Sequence, residues 1–109
     1  MNIVEQIKEY VKDECNKHKK KSKDGYDFWN EHIRYVYIES QKLAELYGAD
    51  IEIVKLGALL HDIALICKVG DRKDHHINGK ILAEEILKKY DYPEEKMDMV
   101  LSCVYNHRS

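Results

Sequence analysis

A histidine and an aspartate stand side by side, as His61 and Asp62, in a part of the chain that is otherwise apolar. Burying both polar side chains is costly unless each finds a strong partner, and a buried carboxylate is rarely left without a cation. Imidazole nitrogen and carboxylate oxygen both coordinate divalent metals. The pair therefore indicates a metal site inside a folded helical domain.

The hydrophobic pattern predicts an all-α fold, a bundle of about five helices. Apolar residues recur at helical spacing, the chain has 1 proline and 5 glycines, and no alternating pattern indicates a strand. The predicted helices cover residues 3–18, 27–47, 51–67, 75–89 and 93–107. Asp27 and Asp50 are the expected N-caps of the second and third helices, and Gly48 is the expected end of the second. Gly57, one turn before His61, would let another helix approach closely.

We predict a single domain over residues 1–109. Residues 1–20 form an N-terminal helix, residues 17–25 a polar lysine-rich linker, and residues 27–108 the core of the domain. The lysine run is expected to be a solvated helix end or linker, and a nucleic-acid-binding patch is the alternative. The formal net charge of −2 argues against nucleic-acid binding over the whole surface. The longest apolar stretch, residues 56–67, is too short and too interrupted to span a membrane.

The cysteines and the N-terminus predict a cytoplasmic protein. The 3 cysteines are widely spaced, and the sequence has no Cys-x-x-Cys pair. Reduced thiols are therefore expected, as in the cytoplasm. The first residues lack the apolar core of a signal peptide.

Further histidines lie among apolar residues at helical spacing. His32 follows Trp29 by three residues and precedes Val36 by four, so it lies on the apolar face of its helix. His107 shares a face with two valines. A single inward histidine is more often a hydrogen-bonded core residue than a ligand, and for His107 both interpretations stay open. His18 is expected at the surface.

His32, His61 and Asp62 together favour a metal site. Mixed nitrogen and oxygen ligands suit iron, manganese, zinc, cobalt or nickel better than calcium. A bundle with no bound metal is the structural alternative.

Five segments carry a family resemblance. They are Trp29-x-x-His32-x-x-x-Val36, Gly48-Ala49-Asp50, the segment Gly57-Ala58-Leu59-Leu60-His61-Asp62-Ile63, His76-x-x-Gly79-x-x-x-Ala83, and Asn106-His107-Arg108. On these residues the sequence resembles the HD superfamily of metal-dependent phosphohydrolases. The resemblance implies an all-α bundle with the metal site between helices. It also implies hydrolysis of a phosphomonoester or phosphodiester of a nucleotide or small metabolite.

The resemblance also implies roles for individual residues. His32, His61 and Asp62 would hold a first metal, and Asp62 would also be the catalytic proton acceptor. In members with two metals, His76 and His107 would hold the second ion. His76 is preferred to its neighbour His75 because it has the family's spacing to the following glycine.

The loop after the metal helix supplies the candidate substrate-binding residues, Arg72 and Lys73. Their positive charge would bind a phosphorylated small molecule. The family normally adds a later aspartate beyond the position of His107, and this sequence carries none there. A catalytically degenerate, metal- or ligand-binding regulatory module is therefore the alternative function.

We also expect a homodimer. The fifth helix carries four apolar residues, and the first helix offers only a narrow apolar stripe. Exposed apolar surface usually marks a contact, and two-fold dimers are the commonest way to cover it. Such a contact could bring a carboxylate from the second chain to the metal. In the alternative arrangement, the first helix folds back and covers the gap within one chain.

Overall fold

The protein, described here over residues 2–106 by a computed structural model, is a bundle of helices with no strand in that range. Its α-helices are α1 (Ile3–Lys21), α2 (Arg34–Tyr47), α3 (Ile51–Leu60), the single-turn α4 (Ile63–Ile66), α5 (His75–Lys89) and α6 (Glu94–Asn106). A π-helical turn (Trp29–Ile33) leads into α2, and a 3-10 turn (Arg72–Asp74) leads into α5. The prediction of an all-α fold with about five helices is confirmed.

Helix α3 lies at the centre of the bundle and contacts α1, α2 and α6. Its residues from Leu56 to Leu60 are all buried, which explains why this part of the sequence is apolar on every side. The Asp50 carboxylate accepts a hydrogen bond from the Ile53 backbone N–H and caps the helix. Gly48 ends α2 in the left-handed conformation, with φ 71°. Both predicted helix ends are confirmed.

Helix α6 packs against α3 at a glycine. A Cβ atom on Gly57 would lie 2.6 Å from the Cβ of Cys103, so the two helices approach more closely than any side chain at this position would allow. The close approach predicted at this glycine is confirmed. The apolar residues of α6 lie in the core rather than on the surface; they are Met97, Val100, Leu101 and Val104.

Helix α1 covers one side of the bundle within the same chain. Ile7, Val11 and Cys15 are buried, and the helix contacts α3 and α4. It ends at Lys21, beyond the predicted end at residue 18, so the connection to the next helix is shorter than the predicted linker of residues 17–25. Basic side chains in the last turn of a helix interact favourably with its dipole, which explains the longer helix.

Two predicted helices are not regular. The predicted helix over residues 27–47 starts with the π-helical turn, in which the Arg34 backbone N–H reaches the Trp29 carbonyl oxygen. The predicted helix over residues 51–67 is wrong as a continuous element, because it breaks at His61 and Asp62. Both irregularities occur at predicted metal ligands. None of the helices between residues 2 and 106 combines the length and apolar character that a membrane crossing requires.

Candidate metal centre

The π-helical turn sets the direction of His32. A π-turn closes hydrogen bonds between residues five apart, and this rotates the following side chains relative to a regular helix. The turn buries Ile33 completely while the His32 side chain stays 29% exposed and directs its Nε2 atom to Asp62. Asp27 supports the start of this segment by accepting a hydrogen bond from the Asn30 backbone N–H, as its predicted capping role requires.

The break between α3 and α4 sets the directions of His61 and Asp62. In a regular helix the side chains of consecutive residues diverge by about 100°. Asp62 instead has φ −111° and ψ 18°, outside the helical region, and it begins the single turn of α4. As a result, Nε2 of His61 and Oδ2 of Asp62 lie 3.1 Å apart. The break thus brings two neighbouring side chains to one point.

Three potential ligand atoms from two parts of the chain form a compact triangle. Nε2 of His32 lies 3.0 Å from Oδ2 of Asp62 and 3.2 Å from Nε2 of His61. His61 and Asp62 are buried, and His32 lies at the edge that faces solvent. The sequence placed these residues on inward faces, and the structure brings all three together.

The backbone fixes which nitrogen of His61 faces the triangle. Its Nδ1 atom is hydrogen-bonded to the Ala58 carbonyl oxygen. A carbonyl oxygen can only accept, so Nδ1 carries the proton, and in the neutral ring Nε2 keeps its lone pair. A carbonyl or carboxylate that orients a histidine in this way is typical of metal-ligating histidines.

A fourth imidazole approaches Asp62 from the start of α5. Nε2 of His75 lies 3.8 Å from Oδ1 of Asp62, and Nδ1 of His75 donates a hydrogen bond of 2.8 Å to the Arg72 carbonyl oxygen. The ring of His76 stacks on that of His75, with ring centroids 3.9 Å apart. His75 thus contacts the Asp62 carboxylate. The role predicted for His76 stays a prediction, and His107 lies outside the described residues.

Comparison with known protein families decides the relationship. Residues 30–109 match the HD domain. The chain belongs to the HD-domain family. A protein of Clostridium beijerinckii that carries the name "Uncharacterized protein" is 32% identical over 66 residues, which are 61% of this chain and 42% of that protein. This chain therefore aligns with less than half of that relative's length. No solved structure matches the chain.

The HD-domain triangle fits a divalent metal. Burial by itself would raise the pKa of Asp62, but the neighbouring imidazoles of His61, His32 and His75 outweigh burial and hold that pKa below its usual value. Asp62 is therefore a buried carboxylate in its charged form. Its Oδ1 atom is buried and has no hydrogen-bond partner within the described residues. A cation satisfies such an oxygen, and two histidines with one carboxylate are a common donor set for transition metals.

A cleft of 470 Å³ opens beside the triangle in this HD domain. His32, Asp62, Leu65 and Arg72 are among the residues that line it. Arg72 is exposed in the 3-10 turn, so the predicted phosphate-binding side chain borders the same cleft as two residues of the triangle. Lys73 follows it in that turn as a second exposed cation.

The sequence did not reveal the other residues that line the cleft. They are His18, Asp24, Tyr26 and Phe28, all of which precede the residues matched to the HD domain. His18 was expected at the surface, but it is partly buried and its Nε2 atom lies 2.9 Å from the Ser22 hydroxyl. The four-residue spacing of His18 and Ser22 is the one local signal of this contact. No pattern in the sequence indicates that the end of α1 lies beside the metal centre.

Proposed function

We propose that this protein is a metal-dependent phosphohydrolase that acts on a phosphomonoester or phosphodiester of a nucleotide or small metabolite. Membership of the HD-domain family supports the reaction class. The single observation that carries the proposal is the triangle of His32, His61 and Asp62, because these residues could hold a metal ion. The cleft beside the triangle provides space for a substrate.

The triangle would hold the metal through Nε2 of His32, Nε2 of His61 and a carboxylate oxygen of Asp62. We propose iron, manganese, zinc, cobalt or nickel as the ion, with one or two ions bound. When bound, such an ion supplies Lewis acidity toward water and toward a phosphoryl oxygen. Three protein ligands leave coordination positions open, as catalytic rather than structural metal sites do.

The protein's own groups supply the remaining functions. The Ala58 carbonyl oxygen holds the His61 ring in one tautomer. Asp62 is the proposed proton acceptor, because its carboxylate stays charged and its Oδ1 atom has no hydrogen-bond partner among the described residues. Arg72 would bind a phosphate oxygen at the edge of the cleft, since a guanidinium group matches two phosphate oxygens at once.

A second ion would need ligands beyond the triangle. We propose His75 as one of these, because its Nε2 atom lies 3.8 Å from Oδ1 of Asp62 and its other nitrogen donates to a backbone carbonyl. The family resemblance favours His76 and His107 for this role. Replacing His75 and His76 singly by alanine, and counting the bound ions, distinguishes the two neighbours.

Phosphate release from a panel of phosphoesters tests the proposed reaction. The protein would be stripped with chelator, reloaded with each of the five metals, and assayed on aryl phosphomonoesters, aryl phosphodiesters and nucleoside monophosphates. Turnover should require the metal and disappear with chelator. Asp62→Asn should lower kcat/KM by more than about a hundredfold, because losing a second-shell partner alone costs about 10–100-fold.

The same panel tests the alternative function. A metal-loaded, folded protein that releases phosphate from none of the esters would contradict the proposal and favour a regulatory module. Thermal unfolding of Asp62→Asn serves as the control, because a folded variant attributes lost turnover to the missing carboxylate.

A further inference from the structure

The cleft beside the metal centre has a wall that the HD-domain match does not cover. We call His18, Asp24, Tyr26 and Phe28 the N-terminal wall; they come from the end of α1 and the connection that follows it. The cleft they enclose with Asp62 and Arg72 has a volume of 470 Å³, which is within the usual range for small-molecule sites. A phosphoryl group bound at the metal end would leave most of this space to the rest of a substrate.

Aromatic rings dominate the N-terminal wall. The rings of Tyr26 and Phe28 meet at 87° with centroids 4.8 Å apart, and those of His18 and Phe28 meet at 74° with centroids 4.9 Å apart. Phe28 packs against the hydrophobic core, whereas Tyr26 is 39% exposed. Phe28 thus anchors the wall, and Tyr26 offers an accessible aromatic surface. Aromatic surfaces of this kind bind planar rings favourably.

The wall also carries polar groups that a bound ring could use. Nδ1 of His18 is buried and has no hydrogen-bond partner within residues 2–106, while Nε2 of the same ring contacts Ser22. Asp24 is exposed beside Tyr26, and one of its oxygens accepts the Tyr26 backbone N–H. A buried polar atom without a partner is rare and costly, and because the His18 ring lines the cleft, a ligand that contacts this ring could satisfy the atom.

We propose that the N-terminal wall is the specificity site of the phosphohydrolase and binds a planar, hydrogen-bonding ring on the alcohol part of the substrate. The inference rests on the proposed function for the phosphate end of the cleft. Tyr26 stacks on the ring, Phe28 supports Tyr26, and His18 and Asp24 face its polar edge. Arg72, His32 and Asp62 line the same cleft, and the phosphate would bind there.

Two esters that differ only in the ring provide the test. Adenosine 5′-monophosphate and ribose 5-phosphate share the sugar and the phosphate, and only the first carries a planar ring. Calorimetric titration of the metal-loaded protein should show that the ring-bearing ester binds about tenfold more tightly, the gain expected from one favourable aromatic contact. Equal affinity for the two esters, or binding of neither, overturns the inference.

Variants of the N-terminal wall then show which residues cause the tighter binding of the ring-bearing ester. Tyr26→Ala should bring the two affinities close to each other, and Tyr26→Phe should keep the preference. Tyr105→Ala is the matched control, because Tyr105 is a 46% exposed tyrosine on α6 and is not among the residues that line the cleft. His18→Phe keeps a ring against Phe28 but removes both nitrogens, so it should weaken binding of the ring-bearing ester alone. A preference that survives Tyr26→Ala overturns the inference.

Turnover separates this inference from the function on which it rests. Tighter binding of the ring-bearing ester without phosphate release supports the N-terminal wall as a ligand site and contradicts the proposed hydrolysis. Equal turnover and equal binding of both esters support hydrolysis and contradict the wall as a specificity site.

Discussion

At the scale of single residues, the environment decides which chemistry each side chain can perform. His61 is completely buried, and a backbone carbonyl fixes its proton on Nδ1, so its other nitrogen is available to a metal. Asp62 is also buried, yet the three surrounding imidazoles keep its pKa low. The cysteines show the opposite case, because burial suppresses their charged form.

The thiols should be unreactive in the folded protein. Burial raises the pKa of Cys15 to about 12 and that of Cys67 to about 11, with Glu14 adding to the second shift, and it also raises the pKa of Cys103. The thiolate is the reactive form, so at pH 8 the reactive fraction of Cys67 is much smaller than that of a free cysteine. Reaction with a disulfide reagent should be slow at pH 8 and accelerate as the pH rises toward 11.

The same reaction in guanidinium chloride is the control. All 3 thiols should then react rapidly, because unfolding removes the burial that raises their pKa values. Rapid reaction of a thiol in the folded protein at pH 8 would contradict the packing described around α1 and α4.

At the scale of elements, the sequence predicted most helices but not their irregularities. The α5 range of residues 75–89 and the caps at Asp50 and Gly48 agree with the prediction, because periodicity and capping residues are local signals. The π-helical turn at His32 and the break at Asp62 have no such signal. Each departs from a regular helix where side chains from distant parts of the chain must meet, and tertiary contacts decide that geometry.

The contact between α3 and α6 gives a prediction of stability. A Cβ on Gly57 would lie 2.6 Å from the Cβ of Cys103, and no rotamer change can move a Cβ atom. Overpacking costs about 1–3 kcal/mol, and alanine regains up to about 1 kcal/mol of helix propensity. Gly57→Ala should therefore lower the free energy of unfolding by about 1–2 kcal/mol, measured by urea denaturation followed by circular dichroism.

Gly79→Ala is the matched control for this prediction. Gly79 is also a buried helical glycine, but the nearest atom to its added Cβ, on Val104, is 3.5 Å away, an ordinary contact. This variant should gain about 0.5–1 kcal/mol from helix propensity. Equal effects of the two substitutions would contradict the close approach of α3 and α6.

At the scale of the whole molecule, α1 completes the hydrophobic core, although this helix precedes the residues matched to the HD domain. The buried stripe of Ile7, Val11 and Cys15 closes the side formed by α3 and α4, and the end of α1 supplies His18 to the cleft. The sequence predicted that His32, His61 and Asp62 lie on inward faces, and the structure brings them together. It did not predict the N-terminal wall, because tertiary packing decides which distant residues the end of α1 lies beside, and no local sequence pattern indicates this.

The oligomeric state stays a prediction, but the surface that supports it is not the one expected from the sequence. The apolar residues of α6 that pointed to a homodimer are buried within the chain, as are those of α1. Exposed apolar side chains instead lie toward the end of α2, where Leu46 is 73% and Tyr47 78% exposed. Such a patch favours a contact. We expect a dimer in sedimentation at micromolar concentration and a shift toward monomer in Leu46→Glu.

The same sedimentation experiment can also contradict the homodimer. A folded, metal-loaded species of 12.9 kDa at the same concentration would contradict the homodimer. Leu46→Glu should keep the helical content of the wild type, because an exposed side chain contributes little to the hydrophobic core.

Metal stoichiometry tests the central claim most directly. Elemental analysis of the purified protein should find at least one iron, manganese, zinc, cobalt or nickel ion per chain. Replacing His61 and Asp62 together by alanine should reduce that content to background. Asp50→Asn is the control, because asparagine also caps a helix and Asp50 lies outside the triangle. Metal content that is unchanged in the folded double variant, or absent from the wild type after reloading, would contradict the metal centre proposed here.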